Sequence, residues 1–176
     1  MLFRSVSIYV LAFLSWVVGI WVIARESPAV CYEVLAGEQI AKLLCLACFL
    51  LLPTTMERPE VTGSGFFPWL TRLIYRLDSP DNLLPSIHCL ESWICWAGLR
   101  TNRKLPGALR WGSLVFAVLI CISTLATRQH VIADVIAGVA LAEGMVQLAR
   151  AKNFGERFRR WFTALDSALL GKRNIV

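Results

Sequence analysis

The chain has two histidines, and each stands where an apolar run begins, next to groups suited to phosphoryl chemistry. His130 and Asp134 are spaced i, i+4, so on a helix they share one face. A carboxylate so placed holds the imidazole's tautomer and stabilises its positive charge once the other ring nitrogen has attacked an electrophile. The same spacing also suits a pair that merely packs two helices together. His88 follows Pro85 and Ser86, a helix start with Ser86 as candidate N-cap. The free amides of such a first turn bind an anion, and a histidine on that turn can protonate a departing oxygen. Taken alone, His88 reads more readily as an interfacial histidine than as a catalyst. Arg58 and Arg128 carry guanidinium groups matched to phosphate oxygens, although each singly is also a solvated loop charge. Together, two histidines and two arginines specify an anionic phosphoryl ligand.

The elements that must position these residues are membrane helices. Of the 176 residues, 57% are hydrophobic, and they fall in long blocks that exclude an ordinary soluble domain. A bilayer core of ~30 Å needs ~20 mostly apolar residues per helix. Residues 6–24, 34–52, 109–126 and 131–148 approach or meet that length, and a fifth block, 83–99, is shorter and more polar. The first block is too long for the apolar core of a cleaved leader and is read as a helix. Five successive spans place Arg58, His88, Arg128 and His130 at termini on one face, although they are far apart in sequence. The opposite face collects Arg25, Arg100, Arg103, Lys104 and Arg110, then the basic tail from Arg150 to Arg173. The positive-inside rule puts that basic face in the cytoplasm and the histidines outside.

Two further stretches have amphipathic spacing. In residues 67–77, Trp69, Leu70, Leu73, Ile74 and Leu77 form one face and Arg72 and Arg76 lie elsewhere, as in a short helix on the outer surface. In the tail, Phe154, Phe158, Trp161, Phe162, Leu165 and Leu169 form a stripe opposite Arg157, Arg159 and Arg160, which suits anionic inner-leaflet lipid. The expected fold is therefore all-α: a polytopic transmembrane bundle of about five spans, plus an outer interfacial helix and a C-terminal amphipathic helix. It forms a single membrane domain over residues 1–176, with a catalytic core at 42–148 and a cytoplasmic tail at 150–176. Cys45 and Cys48 form a C-x-x-C inside an apolar block and are read as small core residues. Lys42 stands at i+4 from Glu38, which implies an internal ion pair. The polar segment 78–82 is explained by turn formation, with a headgroup contact as the lesser alternative.

Three short motifs carry a resemblance to a known family: Arg58-Pro59, Pro85-Ser86-Ile87-His88, and Ser123-Thr124-x5-His130-x3-Asp134. In order, spacing and placement they resemble the signature of the type 2 phosphatidic acid phosphatase superfamily, which also includes lipid phosphotransferases, over roughly residues 42–148. The resemblance implies that His130 is the nucleophile that becomes phosphohistidine, with Asp134 orienting it. It further implies His88 as general acid, Arg58 as a phosphate ligand, and no metal or other cofactor. The chain departs from the family pattern at Leu51, where the family has lysine, at Ile87, where it has glycine, and at Thr124, where it has arginine. Arg128 is the candidate replacement for one lost cation. The family also commonly has six spans rather than five.

The expected activity is metal-independent hydrolysis of a lipid phosphate or diphosphate monoester at the outer face of the cell membrane. His130, His88 and Asp134 would be catalytic, and Arg58, Arg128 and Ser86 would bind phosphate. A phosphotransferase moving a phospho-headgroup between lipids would use the same site. A non-catalytic metal-binding or transport protein could use His88, His130 and Asp134 as ligands, but that reading leaves the arginines, which repel cations, without a reason. The partners implied are a lipid phosphate and membrane lipids rather than nucleic acid.

Overall fold

The computed structural model describes residues 2–170. After a 3-10 turn at Leu2–Ser5 come seven helices among the described residues: α1 (Val6–Glu26), α2 (Pro28–Leu51), α3 (Phe66–Leu77), α4 (Ile87–Leu99), α5 (Gly107–Ala126), α6 (Ile132–Ala151) and α7 (Phe154–Leu170). The all-α polytopic bundle expected from the sequence is what forms. Lys172 and Arg173 of the basic tail lie outside the described residues.

The first hairpin turns on one residue. Ser27 donates its backbone N–H to the carbonyl of Ile23 at 2.9 Å, ending α1, and its hydroxyl accepts from the N–H of Val30 at 3.4 Å, starting α2. Pro28 follows at the first helical position, where its missing N–H costs nothing. α2 accordingly begins six residues before the apolar block at 34, because the Ser-Pro start signal outweighs the polar Glu33.

Four helices, α1, α2, α5 and α6, are long and apolar enough to cross a membrane. The fifth expected span is not. α4 has 13 residues, about 20 Å at ~1.5 Å per residue, against a bilayer core of ~30 Å. Its start is fixed by Pro85 and Ser86, and the chain bends at Leu84 and Pro85 instead of adding a helical turn. α4 is short yet central, packed by α1, α2, α5 and α6. Leu90, Ile94 and Ala97 of α4 are fully buried against Val34, Ala41 and Cys45 of α2 and Ala142 and Val146 of α6. The outer surfaces of the long helices stay apolar and uncovered, as at Leu14, Val17, Leu43 and Leu50, which fits lipid contact. Inside the bundle, the Lys42 ammonium meets Glu38 at 2.5 Å, as its spacing implies, and also Glu91 of α4 at 2.8 Å.

The two ends of the bundle differ. At one end, Arg150 reaches the carbonyl of Ala97 at 3.0 Å and Glu33 at 3.4 Å, while Arg100 pairs with Glu143 at 2.5 Å. α7 leaves from this end with Trp161, Phe162, Leu165 and Leu169 exposed and Glu156 paired to Arg159 and Arg160. At the other end, α3 caps the bundle. The missing turn of α4 leaves a recess there, filled only in part by residues 78–86.

Candidate active site

The recess brings together what the sequence placed at helix termini. The rings of His88, from the first turn of α4, and His130, from the loop before α6, have centroids 6.1 Å apart. Both line one cavity of about 520 Å³.

His130 is set by the turn between α5 and α6. The N–H groups of Gln129 and His130 both donate to the carbonyl of Thr124, at 2.9 and 3.3 Å, which folds the chain tightly back after α5. Asp134 then does two jobs with one oxygen. Its Oδ2 accepts from the N–H of Val131 at 2.9 Å, capping α6, and lies 3.4 Å from Nδ1 of His130. The pair is buried, with 8% and 5% of the two side chains exposed. Burial lowers the pKa of His130 and the Asp134 carboxylate opposes that shift, with a net decrease. His130 is thereby held neutral, with a nitrogen available for attack.

His88 rides on the start of α4. Ser86 caps this helix as expected, its hydroxyl accepting from the N–H of Cys89 at 3.4 Å. The backbone N–H of Ser86 donates to the carbonyl of Asp134 at 3.0 Å, so the cap of the His88 helix is tied to the first turn of the His130 helix. The approach is close enough to require glycine. A Cβ on Gly138 would stand 2.4 Å from the Ser86 carbonyl oxygen.

The surroundings of His88 come from α1, which sequence reasoning treated only as a span. Tyr9, Phe13 and Trp16 share one helical face, and their ring centroids lie 4.3, 5.6 and 5.5 Å from that of His88. The Tyr9 hydroxyl donates to Oδ2 of Asp78 at 2.8 Å and stands 3.4 Å from Nδ1 of His88. Nε2 of His88 is buried without a protein partner. The i, i+4, i+7 spacing of these aromatics was visible in the sequence, but lipid-facing residues of a span can share it, so it carried no signal of a site.

Arg58 is drawn in, though not as a bare phosphate ligand. The segment after α2 pairs briefly with the segment before α4, the N–H of Asn82 donating to the Thr54 carbonyl at 2.7 Å and that of Met56 to Pro80 at 3.2 Å. This brings the Arg58 guanidinium under the end of α3. There it donates to the carbonyls of Asp78, Tyr75 and Ser79 and to the side-chain oxygen of Gln129. It lies 4.8 Å from the Tyr75 ring and 3.9 Å from the Asp78 carboxylate. Arg58 thus joins α3, the loop before α4 and the His130 turn. Gln129, fully buried and bound to Arg58, is a residue the sequence reading passed over.

Arg128 is placed elsewhere. With φ at +53°, it lines a separate cavity of about 290 Å³ with Glu60, Thr71 and Tyr75. The structure does not bring it to the histidines. Among the described residues, no three His, Cys, Asp or Glu side chains are grouped as a metal ion would require.

Fold and site together define an integral membrane helix bundle with paired histidines on a cavity at one end. A family model described as PAP2 superfamily matches residues 73–148, from the middle of α3 into α6, including Ser86, His88, His130 and Asp134. Over these residues the chain is similar to that superfamily, the type 2 phosphatidic acid phosphatases to which the motifs pointed, and the match supports phosphatase-type chemistry in general terms. Arg58 and the aromatic face of α1 fall outside the matched residues. Neither a curated protein nor a solved structure matches the chain.

Proposed function

We propose that the protein hydrolyses a lipid phosphate at the extracytoplasmic face of the membrane through a phosphohistidine intermediate. The observation that carries this reading is the 6.1 Å separation of two imidazoles contributed by different helices to one cavity. That spacing suits a nucleophile and an acid working on opposite sides of a single phosphorus atom.

The free nitrogen of His130 attacks phosphorus as the bond from phosphorus to the lipid oxygen breaks. Burial lowers the pKa of His88 to about 4 before substrate binds, so the proton it gives to that oxygen is one it takes up as the anionic phosphate binds. Water then attacks the phosphohistidine, its proton passes to His88, and phosphate leaves as His130 is regenerated. Asp134 stabilises the charged ring during the cycle. The amides opening α4 at Ile87 and His88 stabilise charge on the equatorial oxygens, and Ser86 serves by holding that turn. Arg58 contributes its positive charge and becomes a direct ligand by exchanging a carbonyl partner for a phosphate oxygen. Arg128 is assigned no contact. A lipid alcohol in place of water would make the same site a phosphotransferase.

The outward orientation rests on the charge asymmetry: Arg25, Arg100, Arg103, Lys104, Arg150 and Lys152 lie at or near the end opposite the histidines, which the positive-inside rule assigns to the cytoplasm. The test is phosphate release from a panel of lipid phosphates in detergent, with and without divalent metal. Turnover that disappears in His130→Ala supports the reading, and turnover retained in that variant defeats it. A phosphorylated lipid acceptor instead of free phosphate would identify a transferase.

A further inference from the structure

His130 has a carboxylate partner visible in its sequence spacing, whereas His88 has one that only the fold supplies. The Tyr9 hydroxyl lies 2.8 Å from Oδ2 of Asp78 and 3.4 Å from Nδ1 of His88. Tyr9 is 1% exposed, and its ring is held against the imidazole at a centroid distance of 4.3 Å. A hydroxyl has one proton to donate, and a carboxylate can only accept. With that proton on the bond to Asp78, the hydroxyl oxygen can meet Nδ1 only as an acceptor, so Nδ1 carries the hydrogen of the neutral ring. Nε2 is then the bare nitrogen. It is buried without a protein partner, in a ring that lines the cavity shared with His130. The same helix α1 also fixes the backbone at this point. Nε1 of Trp16 donates to Oγ of Ser92 at 2.9 Å, and that hydroxyl donates to the His88 carbonyl at 2.7 Å.

We infer that Tyr9 and Asp78 are positioning residues for His88: Tyr9 fixes the ring with Nδ1 protonated and Nε2 free for the phosphate, and Asp78, through Tyr9, stabilises the imidazolium that serves the leaving oxygen. The inference rests on the phosphoryl-transfer reading above and adds to the acid what Asp134 adds to the nucleophile. Protons move at one nitrogen only. Nε2 takes one up as phosphate binds, gives it to the lipid oxygen and recovers one from water, while the hydrogens on Nδ1 and Tyr9 stay in place. The surrounding charges agree. Burial is the largest influence lowering the pKa of His88, Asp78 is the largest opposing it, and His130 adds to the decrease. Arg58 stands 3.9 Å beyond Asp78, Asp81 lines the same cavity, and Asp134 is turned to His130. The charged groups of α2 that reach α4, Glu38 and Lys42, gather at Glu91. The Cys89 thiol meets Thr124 of α5, whose charged residue, Arg110, lies at the opposite end of that helix. Asp78 is therefore the carboxylate whose loss His88 should feel most.

The chain has two histidines, so full-length His130→Asn protein labelled with ¹⁵N-histidine shows one ring, and its nitrogen chemical shifts report the tautomer. That ring is expected to be protonated at Nδ1 at neutral pH, and Tyr9→Phe in the same background is expected to shift it toward the Nε2–H form. The second readout is the basic limb of kcat in protein that keeps His130, where His88 loses its proton in the loaded site. Removing a negative charge lowers the pKa of a neighbouring histidine, so Asp78→Asn is expected to move this limb down by about one pH unit, the lower end of what an adjacent opposite charge supplies. Tyr9→Phe is expected to move it in the same direction, and the double substitution no further than about the larger single shift, because the two residues act through one contact. A ring protonated at Nε2 in His130→Asn, or a limb that stays in place or rises in either single variant, overturns the inference. A merely structural role would reduce the folded fraction without moving the limb. An Nδ1–H ring in a protein that releases phosphate from no lipid would instead defeat the phosphoryl-transfer reading and leave the contact of Asp78, Tyr9 and His88 standing.

Discussion

Gly138→Ala acts where the two histidine-bearing elements touch. The added Cβ would meet the Ser86 carbonyl oxygen at 2.4 Å, and ordinary contact begins near 3.4 Å, so α6 and the α4 cap must separate by roughly 1 Å. Neither partner can yield cheaply, because both are backbone and the N–H of Ser86 is also bound to the Asp134 carbonyl. Overpacking of this kind costs about 1–3 kcal/mol, offset in part by the ~1 kcal/mol advantage of alanine over glycine within a helix. The effect on turnover is expected to be larger than the effect on stability. A displacement of about 1 Å between catalytic groups costs on the order of 100-fold in rate, and this interface sets the distance between His88 and His130. Gly144→Ala is the matched control. It lies on the same helix, and a Cβ there meets nothing within 4 Å. Both variants would be purified in detergent, unfolded thermally to confirm folding, and assayed for lipid phosphate hydrolysis. Gly144→Ala is expected to keep its rate and gain slightly in stability, while Gly138→Ala stays folded and loses most of its rate. A folded Gly138→Ala whose rate is within twofold of the control would refute the argument that this contact sets the histidine geometry.

Three other outcomes are expected. Because burial holds the pKa of His130 down, the acid limb of kcat/KM falls below the ordinary histidine value of about 6.5. Asp134→Asn removes the carboxylate that opposes this shift, so the limb moves to still lower pH while kcat drops by roughly 10²- to 10⁴-fold as the tautomer is lost. A limb that moves to higher pH would contradict the sign. Tyr9→Phe removes the hydrogen bond to Asp78, worth ~0.5–1.5 kcal/mol, and is expected to lower kcat by up to about tenfold; an unchanged rate would show that α1 does not hold the His88 side of the site. Arg58→Lys keeps the charge but cannot satisfy several acceptors at once. It is expected to lose ~1–3 kcal/mol of stability together with activity, measured by thermal unfolding and phosphate release, and full retention of both would refute its joining role.

How far the site could be read from the sequence depends on which residues local rules control. Helix alternation alone placed His88 and His130 at one end, because apolar block length and the parity of spans are set by composition. The Ser86 cap and the pairing of His130 with Asp134 are likewise i-to-i+3 and i-to-i+4 relations. The length of α4 was not legible in this way. Residues 83–86 are apolar enough to extend the block, but Pro85 and the pairing with the segment after α2 keep them out of the helix, and a helix enclosed by four others needs no lipid-spanning length. The aromatic wall of α1 was hidden because nothing local says which face of an apolar span meets the site. Arg128, two residues from His130 in sequence, has a positive φ and lines another cavity together with Tyr75, whose hydroxyl donates to the Thr127 carbonyl at 2.7 Å. Arg58 was found by its motif, but its carbonyl partners come from the end of α3, whose position depends on tertiary packing.

The central claim is covalent, and rapid quenching tests it most directly. Protein mixed with lipid labelled in its phosphate, stopped in alkali within one turnover and digested, should carry label on the peptide containing His130. The label should be stable to base, labile to acid and absent from His130→Asn. Label on another residue, or turnover that continues in His130→Asn, would contradict the account.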